Sequence, residues 1–299
     1  MSHSHSTHKT KQKHLVTAIV LNVCITAAQI VGGLISGSLA LLSDALHNFT
    51  DVVSLFISFI ASYFSNKEAS QNKTFGYKRA EIIAAFINAS SLIVIAFILI
   101  FEAVDRFYAP ETIDATLVIW LSIVAILGNG FSVWILHSDS KNNINIRSSY
   151  FHMLTDLMAS VAVLVGGLLM YFYQLFWVDA VLTALIAIYL LVVGFQLVKK
   201  SFEILMLFTP NHINVKKLVN QVNELPKVKQ MHHVHIWQLN DDEVHLEAHI
   251  DFEEDIRMSV FDHVLEQIEA IAVSEYGINH INIQPEFQKP DNKNIIVQD

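Results

Sequence analysis

Six runs of predominantly apolar residues, each near the ~20 that a helix needs to cross a hydrocarbon core, constrain this 299-residue chain more than anything else in it. They fall at roughly 14–36, 39–64, 82–107, 115–137, 149–173 and 177–200. Hydrocarbon offers no partner to backbone N–H and C=O groups, so the runs predict six transmembrane helices. The composition agrees, with 53% of residues hydrophobic. The connections at Gly37-Ser38 and near Gln174 are short enough for tight hairpins, whereas 65–81, 108–114 and 138–148 are longer. Residues 1–13 are polar and expected to be disordered.

Basic residues orient the spans. With the N-terminus in the cytoplasm, that side carries Lys9, Lys11, Lys13, Lys67, Lys73, Lys78, Arg79, Lys141, Arg147, Lys199 and Lys200, and the opposite side carries Arg106. The bias predicts both termini cytoplasmic. Size and compact loops suggest a bacterial inner membrane. The net charge of -9 comes from residues 209–299, where sixteen acids face seven bases. A neutral membrane body with an acidic tail suits cation traffic and argues against nucleic-acid binding.

Two polar pairs interrupt this apolar body. The stretch Leu41-Leu-Ser-Asp-Ala-Leu-His-Asn-Phe-Thr-Asp51 places His47 and Asp51 four residues apart, and Tyr150-Phe-His-Met-Leu-Thr-Asp156 repeats the spacing with His152 and Asp156. That spacing stacks both side chains on one helical face. A carboxylate near the bilayer centre costs roughly 2.5–3.5 kcal/mol on insertion scales, so two of them call for a partner. Two imidazoles and two carboxylates make a complete four-coordinate set for a divalent ion such as zinc. Helical rise puts Asp51 roughly 18 Å and Asp156 roughly 12 Å from the membrane faces, so the pairs can meet. Two carboxylates cancel the charge of the ion, and imidazole must lose its proton to bind. Exchange of metal for protons follows from that competition.

After Thr209-Pro210-Asn211 the pattern becomes that of a small α+β domain. Residues 214–224 read as a helix, 228–239 and 243–252 as strands joined at 240–242, 256–273 as a second helix and 278–283 as a third strand, an α-β-β-α-β order. This domain holds His232, His233, His235, His245, His249, His263 and His280. In the first strand His233 and His235 are expected to share a face. The cluster suggests metal binding at some of the seven.

Other readings remain open on the residues alone. The four membrane ligands would serve an intramembrane metal-dependent hydrolase if a general base stood nearby, and only Asp44 is close in sequence. A metal-gated receptor is the other rival. The lone Cys24 excludes an intrachain disulfide and a four-thiolate metal site, and is expected to be a small buried hydrophobe. Asn22, Gln29, Asn88, Asn129 and Asp179 read as interhelical hydrogen-bonding groups. No nucleotide-binding glycine pattern is present.

The paired His/Asp motif, the six spans and the acidic α-β-β-α-β tail resemble the cation diffusion facilitator family. Ser43-Asp-Ala-Leu-His-Asn and Phe75-Gly-Tyr-Lys-Arg-Ala-Glu81 look like its zinc-exporter branch. The resemblance implies a homodimeric, proton-coupled exporter of Zn2+, with Cd2+, Co2+ or other divalent ions as further cargo, working by alternating access. It implies a six-helix membrane domain over 14–208, a ferredoxin- or metallochaperone-like cytoplasmic sensing and dimerisation domain over 209–288, and a tail over 289–299. His47, Asp51, His152 and Asp156 would be the transport site. His233, His249 and His263 match regulatory zinc positions, with Glu286 as a further ligand and His235, His245 and His280 as weaker candidates. Asn72 and Tyr77 stand where some members place ligands of another site. The loop 138–148 lacks the histidines seen in some members; His3, His5 and His8 would replace them in part by weak, reversible metal capture, or else form a plain solvated tail.

Overall fold

The structure is a computed structural model that describes residues 4–65, 67–140 and 144–297, with side chains except those of 4–18, Leu55, Ser58, 138–140 and 144–149. Six long helices follow the six apolar runs: α1 (Ser4–Ser36), α2 (Leu39–Ser65), α3 (Ala80–Tyr108), α4 (Ala115–Ser140), α5 (Ile144–Tyr173) and α6 (Trp177–Leu205). All six contain a stretch long and apolar enough to cross a bilayer. The chain continues as α7 (Val215–Asn223), β1 (Val228–Gln238), β2 (Val244–Phe252), α8 (Met258–Tyr276) and β3 (His280–Glu286). The α-β-β-α-β order is therefore present.

Three expectations change. Helix α1 begins at Ser4 rather than after residue 13. An apolar segment that has nucleated a helix extends it at the cost of one residue's freedom per hydrogen bond. Residues 1–3 and the side chains of His5 and His8 lie outside the described residues, and so does the expected metal capture by His3, His5 and His8. Helices α4 and α5 likewise extend into the expected 138–148 connection, of which 141–143 lie outside the description. Cys24 is exposed, because Asn22, Ile25, Thr26 and Gln29 take the inward face of α1.

The helix surfaces are inverted relative to a water-soluble bundle. Phe59, Phe101 and Trp134 are more than 70% exposed, while Ala40, Ala45, Ala96, Ala125, Ala187, Ser122 and Thr183 are buried. Small residues let helices approach closely, and large apolar residues on the outer surface suit lipid. This is an integral membrane protein.

The chain divides into two compact units, Met1–Ile57 with Ile87–Leu197, and Ser58–Phe86 with Val198–Asp299. In the first, α2 contributes to two apolar clusters. Ala40 and Leu41 pack with Val118 of α4 and with Val163 and Met170 of α5, and Leu46 packs with Leu92, Ala96 and Leu99 of α3 and Leu190 of α6. The turn before α2 needs Gly37, whose φ is +76°. A Cβ at Gly33 would lie 3.2 Å from backbone atoms of Leu42, so glycine permits close approach of α1 and α2. Asp179 of α6 fixes where α2 starts. It accepts from Ser38 Oγ at 2.5 Å, Leu39 N at 2.8 Å and Ala40 N at 3.3 Å. These amides have no intrahelical acceptor of their own.

In the second unit the sheet order is β1-β2-β3, with β1/β2 antiparallel and β2/β3 parallel. Leu218, Val219 and Val222 of α7 and Phe261, Val264, Ile268 and Ala272 of α8 form one core with Met231, Leu246 and Ile250 of the strands. Asn214 caps α7 by accepting from Lys217 N at 3.1 Å. The alternation of β1 breaks between His232, which pairs with His249, and His235, which pairs with Glu247. The extra residue is a bulge, and His233 within it has φ +50°. Residues 294–295, within the expected tail over 289–299, cover the bulge: His233 N donates to Asn294 O at 3.1 Å and Val234 N to Ile295 O at 2.8 Å.

Candidate metal centres

In the first unit, α2 and α5 bring the four expected membrane residues together. Asp51 Oδ2 lies 3.6 Å from His47 Nε2 and 3.4 Å from His152 Nε2, and Asp156 Oδ2 lies 3.6 Å from His152 Nε2. One ligand atom each from His47, His152 and Asp156 lie within 4.8 Å of one another. The two imidazole rings are 6.0 Å apart, edge to face. Both oxygens of Asp156, Asp51 Oδ2 and His47 Nδ1 are buried without a hydrogen-bond partner. Buried polar atoms are almost always satisfied, so unpartnered carboxylate oxygens beside two imidazoles describe a place for a cation or protons. Asp44, one turn from His47, is committed differently, accepting from Gln29 Nε2 at 2.7 Å.

Of the other membrane polar groups, Gln29 and Asp179 hydrogen-bond between helices as expected, and Asn88 Nδ2 donates to Ser54 O at 3.5 Å. Asn22 Oδ1 and both side-chain polar atoms of Asn129 have no hydrogen-bond partner.

In the second unit the bulge assembles a different set from the one expected. His232, His249, Glu286 and Asp291 each offer a ligand atom within a common 4.8 Å. His249 Nδ1 lies 3.1 Å from Glu286 Oε1, and His232 Nε2 lies 3.4 Å from Glu286 Oε2 and 3.6 Å from Asp291 Oδ2. Strict alternation would put His232 and His233 on opposite faces. The bulge lets both approach His249, with His232 edge-on at 5.4 Å and His233 stacked at 4.6 Å. His249 and Glu286 thus belong to the cluster and His233 and His235 flank it; His232 was one of the seven histidines read as possible metal binders but not one the resemblance singled out, and Asp291 was not a candidate. The only sequence signal for Asp291 is the acid-and-lysine run after β3.

His263 is not part of this cluster. It is 83% exposed on α8, where Phe261 and Val264 take the buried positions, and it pairs with Glu266 at 3.3 Å. His245 and His280 lie elsewhere on the sheet, grouped with Glu243.

A two-imidazole, two-carboxylate set fits zinc, but a cation already stands among its oxygens. Lys293 Nζ is 2.9 Å from Asp251 Oδ1 and 3.0 Å from Glu286 Oε2, and it also pairs with Asp291. Lys293 and its hydrogen bond hold the Asp291 carboxyl below its usual range. Burial alone would raise Glu286, but Lys289 and Lys293 outweigh it and leave it lowered. Burial also lowers His249, which favours the neutral, ligand-competent ring.

The chain matches the cation efflux transmembrane domain over residues 15–206 and the cation efflux protein cytoplasmic domain over residues 210–288. It is 34% identical to the cadmium, cobalt and zinc/H(+)-K(+) antiporter of Bacillus subtilis, over 99% of this chain and 96% of that protein. It is 31% identical to the zinc transporter ZitB of Escherichia coli, over 96% and 92% of the two chains. It is also 31% identical to the metal cation efflux system protein CzcD of Cupriavidus metallidurans, over 95% and 90%.

Proposed function

This chain belongs to the cation efflux family, whose members are metal transporters and not enzymes, and from that premise we propose that it exports Zn2+ from the cytoplasm in exchange for protons. Cd2+ and Co2+ are further cargo, as the name of the Bacillus subtilis relative suggests. The observation that carries the reading is the convergence of His47 and Asp51 from α2 with His152 and Asp156 from α5, with carboxylate oxygens left unpartnered.

The chemistry follows from the donor atoms. Zinc takes nitrogen and oxygen ligands in a tetrahedral set, and two ionised carboxylates make the loaded site neutral in a medium that penalises charge. Emptied of metal, the same four groups are anionic and recover neutrality by taking up protons. Metal and protons therefore compete for the same lone pairs, and alternating exposure of the site to the two membrane faces couples their fluxes. Asp44, the further carboxylate on α2, accepts a hydrogen bond from Gln29, which favours a structural role over that of a general base and so transport over hydrolysis.

The working form in this proposal is a homodimer in a bacterial inner membrane with both termini cytoplasmic, as the basic residues indicate. The His232, His249, Glu286 and Asp291 cluster takes regulatory zinc, which replaces the Lys293 ammonium among the carboxylates. Uptake of zinc into inside-out vesicles under an imposed proton gradient tests the proposal. Gradient-driven uptake that Asp156→Ala abolishes supports it, and equal uptake in the two proteins defeats the assigned site.

A further inference from the structure

The opposite end of the sheet carries a row that the transport reading does not use. Trp237, His245 and His280 are in-register neighbours on β1, β2 and β3. Their rings stack in order, Trp237 on His245 at 5.1 Å and His245 on His280 at 4.5 Å, with interplanar angles of 15° and 4°. Phe75 meets the His245 ring at 5.9 Å, edge to face. His245 is 8% exposed and its Nε2 is buried without a hydrogen-bond partner. Beside it, Glu243, His245 and His280 each offer one ligand atom, all within 4.8 Å of one another.

The backbone holds these groups in place. Asn240 Oδ1 accepts from Asp242 N at 2.9 Å and Glu243 N at 2.8 Å, which fixes the turn before β2. Asn279 ties that turn to the start of β3, its Oδ1 accepting from Val244 N at 3.0 Å and its Nδ2 donating to Asp242 O at 2.6 Å. The three candidate ligands are thus set by one hydrogen-bonded corner. Glu243 also faces a cation: Lys78 Nζ, in the segment joining α2 and α3, lies 2.6 Å and 2.7 Å from its two oxygens. Burial keeps the His245 ring below its ordinary pKa, and Lys78 keeps the Glu243 carboxyl low against the opposing effect of burial. A neutral imidazole and an ionised carboxylate are the forms that ligate a transition metal.

We propose that Glu243, His245 and His280 form a second site for a divalent transition metal in the C-terminal unit, separate from the His232 cluster, and that metal there competes with Lys78 for the Glu243 carboxylate. Two nitrogens and one oxygen provide three of the four tetrahedral positions, with water completing the set. Filling the site gives the orphaned His245 Nε2 a partner and releases Lys78 from Glu243. The inference does not rest on export, since it concerns binding alone.

Equilibrium dialysis of the full-length detergent-solubilised protein against Co2+, with the bound metal counted per protomer, is the test. His280→Ala changes an exposed residue at a strand start, and Glu243→Gln removes the charge without disturbing the buried row. Each is expected to bind one equivalent less than the native protein. Lys78→Met is expected to keep the full count and tighten this site by about two- to five-fold, the range set by the worth of a partly exposed ion pair. An unchanged count in both ligand variants overturns the site. A reduced count together with unchanged or weaker binding in Lys78→Met overturns the competition.

Discussion

Replacing Asp156 by asparagine should make the metal-free protein more stable while ending transport. Asp156 is 1% exposed, neither of its oxygens has a hydrogen-bond partner, and its nearest basic nitrogen, His152 Nε2, is 3.6 Å away. A carboxylate this deep in hydrocarbon costs about 2.5–3.5 kcal/mol, and the surroundings return little of it. The amide keeps the volume and removes the charge, but it remains a polar group short of partners, which costs about 1–3 kcal/mol. The balance is a gain of about 1 kcal/mol for Asp156→Asn in chelator, at a pH where the carboxylate is ionised. Thermal unfolding of the purified protein with metal removed reads the stability, and vesicle uptake reads the function. A variant that is more stable and inactive matches a site whose cost is met by its cargo. A variant less stable than the native protein in chelator would refute the reasoning, because it would make the carboxylate a structural bonding group.

Other perturbations follow from the same contacts. Asp179→Ala strips acceptors from Ser38 Oγ, Leu39 N and Ala40 N, and should cost about 2–4 kcal/mol of stability; Asp179→Asn, which keeps one acceptor oxygen, should cost less in the same melt. Lys293→Met removes the cation among Asp251, Glu286 and Asp291; its zinc affinity should rise about tenfold by isothermal titration while the metal-free C-terminal unit loosens. The acid stability profile of that unit should have two steps. His249 is held below its ordinary range chiefly by burial, so its contribution declines as the pH falls below about 6.5. Asp251, Glu286 and Asp291 are all held low, so theirs is complete above about pH 4 and drains below it. Denaturant midpoints measured across that range check both steps, and Lys293→Met should flatten the lower one.

Hydrophobic run length placed all six spanning helices, because a bilayer leaves the backbone no other solution. The gathering of the candidate membrane residues was legible for a related reason: His47, Asp51, His152 and Asp156 are conspicuous in apolar surroundings, and the helical period orients each pair without knowledge of tertiary packing. The second unit was harder. Its succession of helices and strands could be read, but the histidines facing Glu286 depend on a bulge at His233, and a period-two rule turns to the wrong neighbour when one residue is inserted. Asp291 and Lys293 reach the cluster only because residues 294–295 cover that bulge, a long-range pairing with no local pattern. His263 lies on the exposed side of α8, apart from the histidines gathered at the bulge. Glu243 became notable only once the turn at Asn240 and the start of β3 were joined through Asn279.

Simultaneous recording of internal zinc and internal pH in proteoliposomes holding the purified protein, with membrane potential clamped, tests the central claim most directly. The account predicts that zinc entering the inside-out population drives protons outward, that reversing the pH gradient reverses zinc movement, and that Asp51→Ala and Asp156→Ala each end both fluxes together. Zinc movement that proceeds at the same rate with the pH gradient collapsed, and carries no protons, would contradict it.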